Sequence, residues 1–125
     1  MQFFWICLGG AAGTGARYLL SGWTTATFGA AFAWGTLVVN VLGSFLIAVL
    51  MVAANEANLL SPTLRLALTT GVMGGFTTYS AFSYETMLCF QQGAWGTGAL
   101  NIVVTVVGCL VACLLGLWCG RALFV

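Results

Sequence analysis

Charge is what this sequence lacks most. Of 125 residues only Arg17, Glu56, Arg65, Glu85 and Arg121 are charged; lysine and histidine are absent and proline occurs once. A soluble domain carries about a quarter charged residues. A chain that is 4% charged and 62% apolar, with a mean hydropathy of +1.10, cannot cover a water-facing surface. That excludes a secreted domain, a soluble enzyme and a basic nucleic-acid binder. Catalytic material is missing too: there is no histidine, no close carboxylate pair, no Gly-x-Ser-x-Gly and no lysine for a phosphate loop, so the chain reads as a non-enzyme. The five cysteines, Cys7, Cys89, Cys109, Cys113 and Cys119, lie in apolar runs and form no even-numbered disulfide framework. Cys109 and Cys113 stand one helical turn apart, but with no histidine or nearby carboxylate they make no metal site.

What is present is apolar length. The charges leave uncharged intervals of 16, 38, 8, 19 and 35 residues before a tail of four. A hydrocarbon core about 30 Å thick needs roughly 20 apolar residues in a helix. These intervals therefore predict an all-α membrane protein with four transmembrane helices over residues 3–21, 32–54, 63–90 and 98–120, one domain covering residues 1–125. The runs are continuous rather than alternating, which excludes a β-barrel. No basic segment precedes the first run, so it reads as a span rather than a cleaved signal. Residues 22–31 are turn-rich and read as a connection, bracketed by the interface aromatics Trp23 and Trp34. Pro62 opens the third span, and residues 91–97 form the last connection.

Within the spans the small and polar residues are grouped. Gly9 and Gly13 form a GxxxG pair that predicts close helix contact. The third span carries Gly71, Gly74 and Gly75, then Thr77, Thr78, Tyr79 and Ser80, an interruption halfway along it. At membrane depth, freed backbone groups are tolerated only where protein buries them or where they line a cavity. This stretch is therefore either an unwound turn presenting carbonyl oxygens to a cation or a packing face whose threonines bond back to the preceding turn. Asn40, Ser80, Ser83, Asn101 and Thr105 supply N–H and O–H donors, suited either to a small anion or to pinning helices together. Tyr79 and Phe82, three apart, share a helical face and read either as core packing or as ring edges, the positive side of the quadrupole, turned to an anion. Arg17 reads as a vestibule cation or a snorkelling side chain, and Glu85 as an intramembrane acid that hydrogen-bonds another helix. The arginines give two against one across the membrane, almost no bias for the positive-inside rule, so an antiparallel homodimer is a reasonable assembly.

The run Gly74-Gly75-Phe76-Thr77-Thr78-Tyr79-Ser80-Ala81-Phe82-Ser83-Tyr84-Glu85, preceded by Gly71, resembles the third-helix signature of the Fluc family of small bacterial fluoride channels. Gly9-Gly10-x-x-Gly13-x-x-Ala16-Arg17-Tyr18 and Gly35-Thr36-x-x-x-Asn40-x-x-Gly43-Ser44 resemble its other two signatures, and the likeness covers essentially the whole chain. The resemblance implies an antiparallel, dual-topology homodimer in the bacterial plasma (inner) membrane, multi-pass and surrounded by lipid, which passively exports fluoride through two pores. It also implies a structural Na⁺ at the dimer interface, held by backbone carbonyls that map onto Gly74 and Thr77. The pore would be lined by Asn40, by Tyr79 and Phe82 as the paired rings, by Ser80, and by a track of Asn101, Thr105 and Cys109, with Arg17 and Glu85 in vestibule or structural polar roles. Three positions depart from the family's habit: Tyr79 replaces a usual Phe, Ala81 a common Thr, and Cys109 a frequent hydroxyl residue. Two other readings predict different behaviour. A small multidrug-type proton antiporter needs an acid in its first span, where this chain has only Arg17; a structural membrane subunit would transport nothing.

Overall fold

In the computed structural model, which describes residues 1–125, every regular element is helical. They are α1 (Gln2–Phe28), α2 (Trp34–Asn55), α3 (Pro62–Leu66), a π-helix (Ala67–Met73), α4 (Gly74–Phe76), α5 (Tyr79–Gln91) and α6 (Trp95–Phe124). Two of these, α2 and α6, are long and apolar enough to cross a membrane on their own; at helical rise they reach about 33 and 45 Å. Only 25 of the 125 residues are buried within the single chain. Leu100, Val103, Val107, Leu110, Val111 and Leu114 of α6 all face outward. So wide an apolar surface on a single element suits lipid or a second protein rather than water.

Helix α1 runs to Phe28, seven residues beyond the expected span end, through the stretch read as a connection. The threonines there do not break it because their hydroxyls are satisfied locally: Thr24 donates to the Leu20 carbonyl at 2.7 Å and Thr27 to the Trp23 carbonyl at 2.8 Å. Gly29, at φ 87°, then ends the helix. At Pro62 the next rod starts as expected, with Ser61 as its N-cap, accepting from the Leu64 amide at 3.3 Å.

The packing is made by glycines. A methyl on Gly9 would lie 2.5 Å from the Ala67 carbonyl oxygen, and one on Gly13 would fall on the Val72 carbonyl. From the other side, a methyl on Gly71 would lie 2.7 Å from the Ile6 carbonyl oxygen. Thus α1 runs parallel to the π-helix with backbone against backbone, as the GxxxG pair predicts. Helices α2 and α6 also run parallel, Gly116 seating on Phe45 and Ala48 and Gly120 on Val52. Their C-terminal ends are tied by Arg121, whose Nε and Nη2 donate to the Glu56 carboxylate at 3.0–3.2 Å. Between these layers sit Val39, Met73 and Phe76, flanked by Leu20, Leu46 and Leu50.

Candidate functional site

Between α4 and α5 the chain leaves helical geometry for two residues: Thr77 at φ −85°, ψ 159° and Thr78 at φ −150°, ψ 111°. Asn40, in the middle of α2, holds them there. Its Oδ1 accepts from the Thr78 amide at 2.7 Å and its Nδ2 donates to the Thr78 carbonyl at 2.9 Å. One side chain thus satisfies both polar groups of a buried extended residue, as a neighbouring strand would. Thr78 in turn caps α5, its Oγ1 accepting from the Ala81 amide at 3.2 Å and lying 3.3 Å from the Ser80 hydroxyl.

This exchange of partners frees two carbonyls. The Thr78 amide, which in a continuous helix would bond the Gly74 carbonyl, is committed to Asn40. The Ala81 amide, which would bond the Thr77 carbonyl, is committed to the Thr78 hydroxyl. Gly74 and Thr77 both line a cleft of about 480 Å³, together with Asn40, Tyr79, Phe82, Thr105 and Cys109. The rings of Tyr79 and Phe82 sit 5.6 Å apart, tilted by 57°; Tyr79 is exposed and Phe82 buried. Seven of the eleven residues singled out in the sequence therefore meet in this cleft.

The hydroxyls around it are largely occupied. Ser44 donates to the Asn40 carbonyl at 2.7 Å and Thr77 to the Met73 carbonyl at 2.9 Å. Asn40, by contrast, has a second Nδ2 hydrogen beyond the one given to Thr78. No ionised side chain lines the cleft. Its chemistry is that of neutral donors and ring edges beside bare carbonyls.

Asn101 lies outside the cleft but is linked to it. Thr105 donates to Asn101 Oδ1 at 3.4 Å, Asn101 Nδ2 donates to Thr86 Oγ1 at 2.9 Å, and Thr86 donates to the Phe82 carbonyl at 2.7 Å. This buried chain fixes α6 against α5 one turn after Phe82. Thr86 escaped the sequence reading because an isolated threonine on a helix carries no mark of its partner.

Arg17 and Glu85 line a second cavity, of about 740 Å³, with Tyr18, Thr36 and Thr78. Glu85 bonds another helix, accepting from the Thr36 hydroxyl at 2.8 Å, while its Oε2 is buried without a partner. Thr78 on this side and Asn40 on the other make their hydrogen-bonded bridge the wall between the two cavities. Ser80 lines neither and stays exposed at the start of α5.

The family model described as "CrcB-like protein, Camphor Resistance (CrcB)" matches residues 4–117. The chain is 55% identical over 122 residues to the fluoride-specific ion channel FluC of Sorangium cellulosum, covering 98% of this chain and 96% of that protein. It is 48% identical over 118 residues to the protein of the same name from Geobacter sulfurreducens, covering 94% and 95%. With the FluC of Anaeromyxobacter sp. it shares 55% identity over 107 residues, 86% and 85% of the two chains.

Proposed function

The chain belongs to the CrcB family, and from that premise we propose that it is a fluoride-selective ion channel that passively exports F⁻ and so lowers its concentration and toxicity in the cytoplasm. It is a membrane protein and not an enzyme. Its place is the bacterial inner membrane, crossed by four helical passes: α1, α2, the broken rod from α3 to α5, and α6. The observation that carries the reading is the cleft in which the spare Asn40 amide hydrogen, the Tyr79 and Phe82 rings and the Thr105 and Cys109 side chains converge.

A small anion entering hydrocarbon must exchange its water for donors that are already in place. Asn40 is fixed by its two bonds to Thr78, so its free hydrogen points without reorganisation. The helix carrying Phe82 is tied to α6 through Thr86 and Asn101, and the Phe82 edge with that of Tyr79 offers partial positive charge without a fixed cation. Neutral donors bind a strongly hydrogen-bonding anion while leaving it free to depart, which a buried arginine would not. The drive is the membrane potential, about 2.3 kcal/mol per charge per 100 mV. Fluoride that enters acid-stressed cells as HF and dissociates inside is expelled as the anion. Arg17 draws anions to the second cavity, and Glu85, held by Thr36, orders its floor.

The freed carbonyls of Gly74 and Thr77 fit a structural Na⁺: hard oxygen donors without their helical partners, in a cleft open to one side. Two per chain are too few for an alkali cation, whereas a second copy brings the number to four. That requirement, with the scant arginine asymmetry, supports an antiparallel, dual-topology homodimer. Bound there, the ion supplies fixed positive charge at the centre of the assembly.

The test is fluoride release from liposomes holding only the purified protein, read with a fluoride electrode under a valinomycin-clamped potential and against a chloride-loaded control. Rapid fluoride release with little chloride release is expected. Folded protein that releases none overturns the channel reading and favours a structural subunit; release only under a proton gradient favours an antiporter.

A further inference from the structure

One arginine is not used by the channel as described. Arg65 lies in the last turn of α3, and the one ion pair of the chain, Arg121 with Glu56, does not include it. Arg65 lines a cavity of about 720 Å³ with Asn58, Thr69, Thr70, Ile47 and Met51. Asn58 sits there in the left-handed region at φ 52°. Ile47 and Thr69 also line the cleft of Asn40, Gly74 and Phe82, so the two spaces adjoin along α2 and the π-helix. From Arg65 to Thr77 is twelve residues, about 18 Å at helical rise. The guanidinium is therefore too far to bind an anion in the cleft, but lines the cavity that adjoins it at Ile47 and Thr69.

We infer that the Arg65 cavity is an electropositive mouth of the fluoride path, where an unpaired guanidinium concentrates small hydrated anions before they reach the neutral donors of the cleft. The inference rests on the channel reading and adds a residue to it. The cleft has no ionised side chain, and a charge at its outer approach adds a field where anions first arrive from water. In water a unit charge raises the local concentration of a monovalent anion about 7 Å away by about threefold at low ionic strength. The Debye length is about 30 Å at 0.01 M and about 3 Å at 1 M, so the enrichment vanishes in concentrated salt.

The experiment compares wild type, Arg65→Gln and Arg65→Lys in phosphatidylcholine vesicles. Fluoride is held below saturation and ionic strength is set with impermeant gluconate at about 0.01 M and about 1 M. Arg65→Gln is expected to release fluoride about threefold more slowly than wild type at low ionic strength and equally fast at high ionic strength, with Arg65→Lys like wild type at both. Arg65→Gln matching wild type at both strengths, slowing equally at both, or being matched by Arg65→Lys would overturn the inference. Should Arg65→Gln not reconstitute, wild-type release that is indifferent to ionic strength at fixed potential overturns it alone. A wild type that passes no fluoride at all is a different result, the failure of the channel reading itself.

Discussion

Replacing Asn40 by alanine removes both bonds that hold Thr78 extended. Thr78 and Asn40 are each more than nine-tenths buried, so water does not replace the lost partners. An orphaned buried backbone group costs about 1–3 kcal/mol, and the N–H and C=O together cost about 2–6 kcal/mol. That is a large fraction of the 5–15 kcal/mol typical of a folded domain. The chain has one local escape: the Thr78 amide can return to the Gly74 carbonyl and rewind the turn. Rewinding covers one of the two carbonyls of the cleft and rotates Tyr79 and Phe82 about the helix axis. Both outcomes abolish the site. The expected result for Asn40→Ala is a lower thermal midpoint in detergent and fluoride release from liposomes reduced by at least tenfold. Asn40→Asp separates the two halves of the bridge, since its carboxylate still accepts from the Thr78 amide but faces the Thr78 carbonyl with no donor. Buried against that carbonyl, its charge should destabilise the fold at least as much as alanine does, and it should pass little fluoride. Asn40→Ala with wild-type stability and wild-type release refutes the bridge as the basis of the site. Wild-type stability with lost release means that Asn40 serves the anion alone.

Three further outcomes follow from the packing. A methyl on Gly13 lands on the Val72 carbonyl with the Phe76 amide nitrogen 3.0 Å away, backbone that cannot yield, so Gly13→Ala should destabilise by about 1–3 kcal/mol; Gly15→Ala, which meets nothing within 4 Å, should not, and equal midpoints for the two would contradict the α1 contact. Thr86→Val keeps the shape but strands the Asn101 amide and removes the second bond to the Phe82 carbonyl, costing about 1–3 kcal/mol; fluoride release unchanged from wild type would show that the α5–α6 chain does not position Phe82. The hydrogen bond from Arg121, with its charge, holds the Glu56 carboxyl below its ordinary value. A depressed carboxyl stabilises fully above the ordinary range and loses its contribution as pH falls through the lowered value. The thermal midpoint should therefore decline in acid more for wild type than for Glu56→Gln, and parallel declines would remove the pair from the account.

What the sequence made legible was identity and spacing. The apolar intervals marked α2 and α6, Gly9 and Gly13 marked a backbone contact, and Pro62 marked a helix start, because each of these is a local property of a few neighbouring residues. What it withheld was partnership. Asn40 reads as an intramembrane donor, yet its main bonds run to Thr78, 38 residues away, and Glu85 finds its partner in Thr36, 49 residues away. The end of α1 was misplaced for the same reason: Thr24 and Thr27 are turn formers by propensity, and only their bonds to Leu20 and Trp23 make them helical. The π-helix before the site carries no local signature at all.

The same distinction decides how the site should be counted. By composition the region offers Asn40, Ser44, Thr77, Thr78, Ser80 and Thr105 as donors, enough to surround an anion. In the fold Ser44 and Thr77 donate to their own helices, Thr105 donates to Asn101, and Thr78 and Ser80 do not line the cleft. That leaves the spare hydrogen of Asn40 as the one amide donor at the cleft, with the ring edges and the Cys109 thiol as its complement. On the proposed reading, so sparse a shell suits a small anion that must be held briefly, and Tyr79 and Phe82 would carry much of the selectivity.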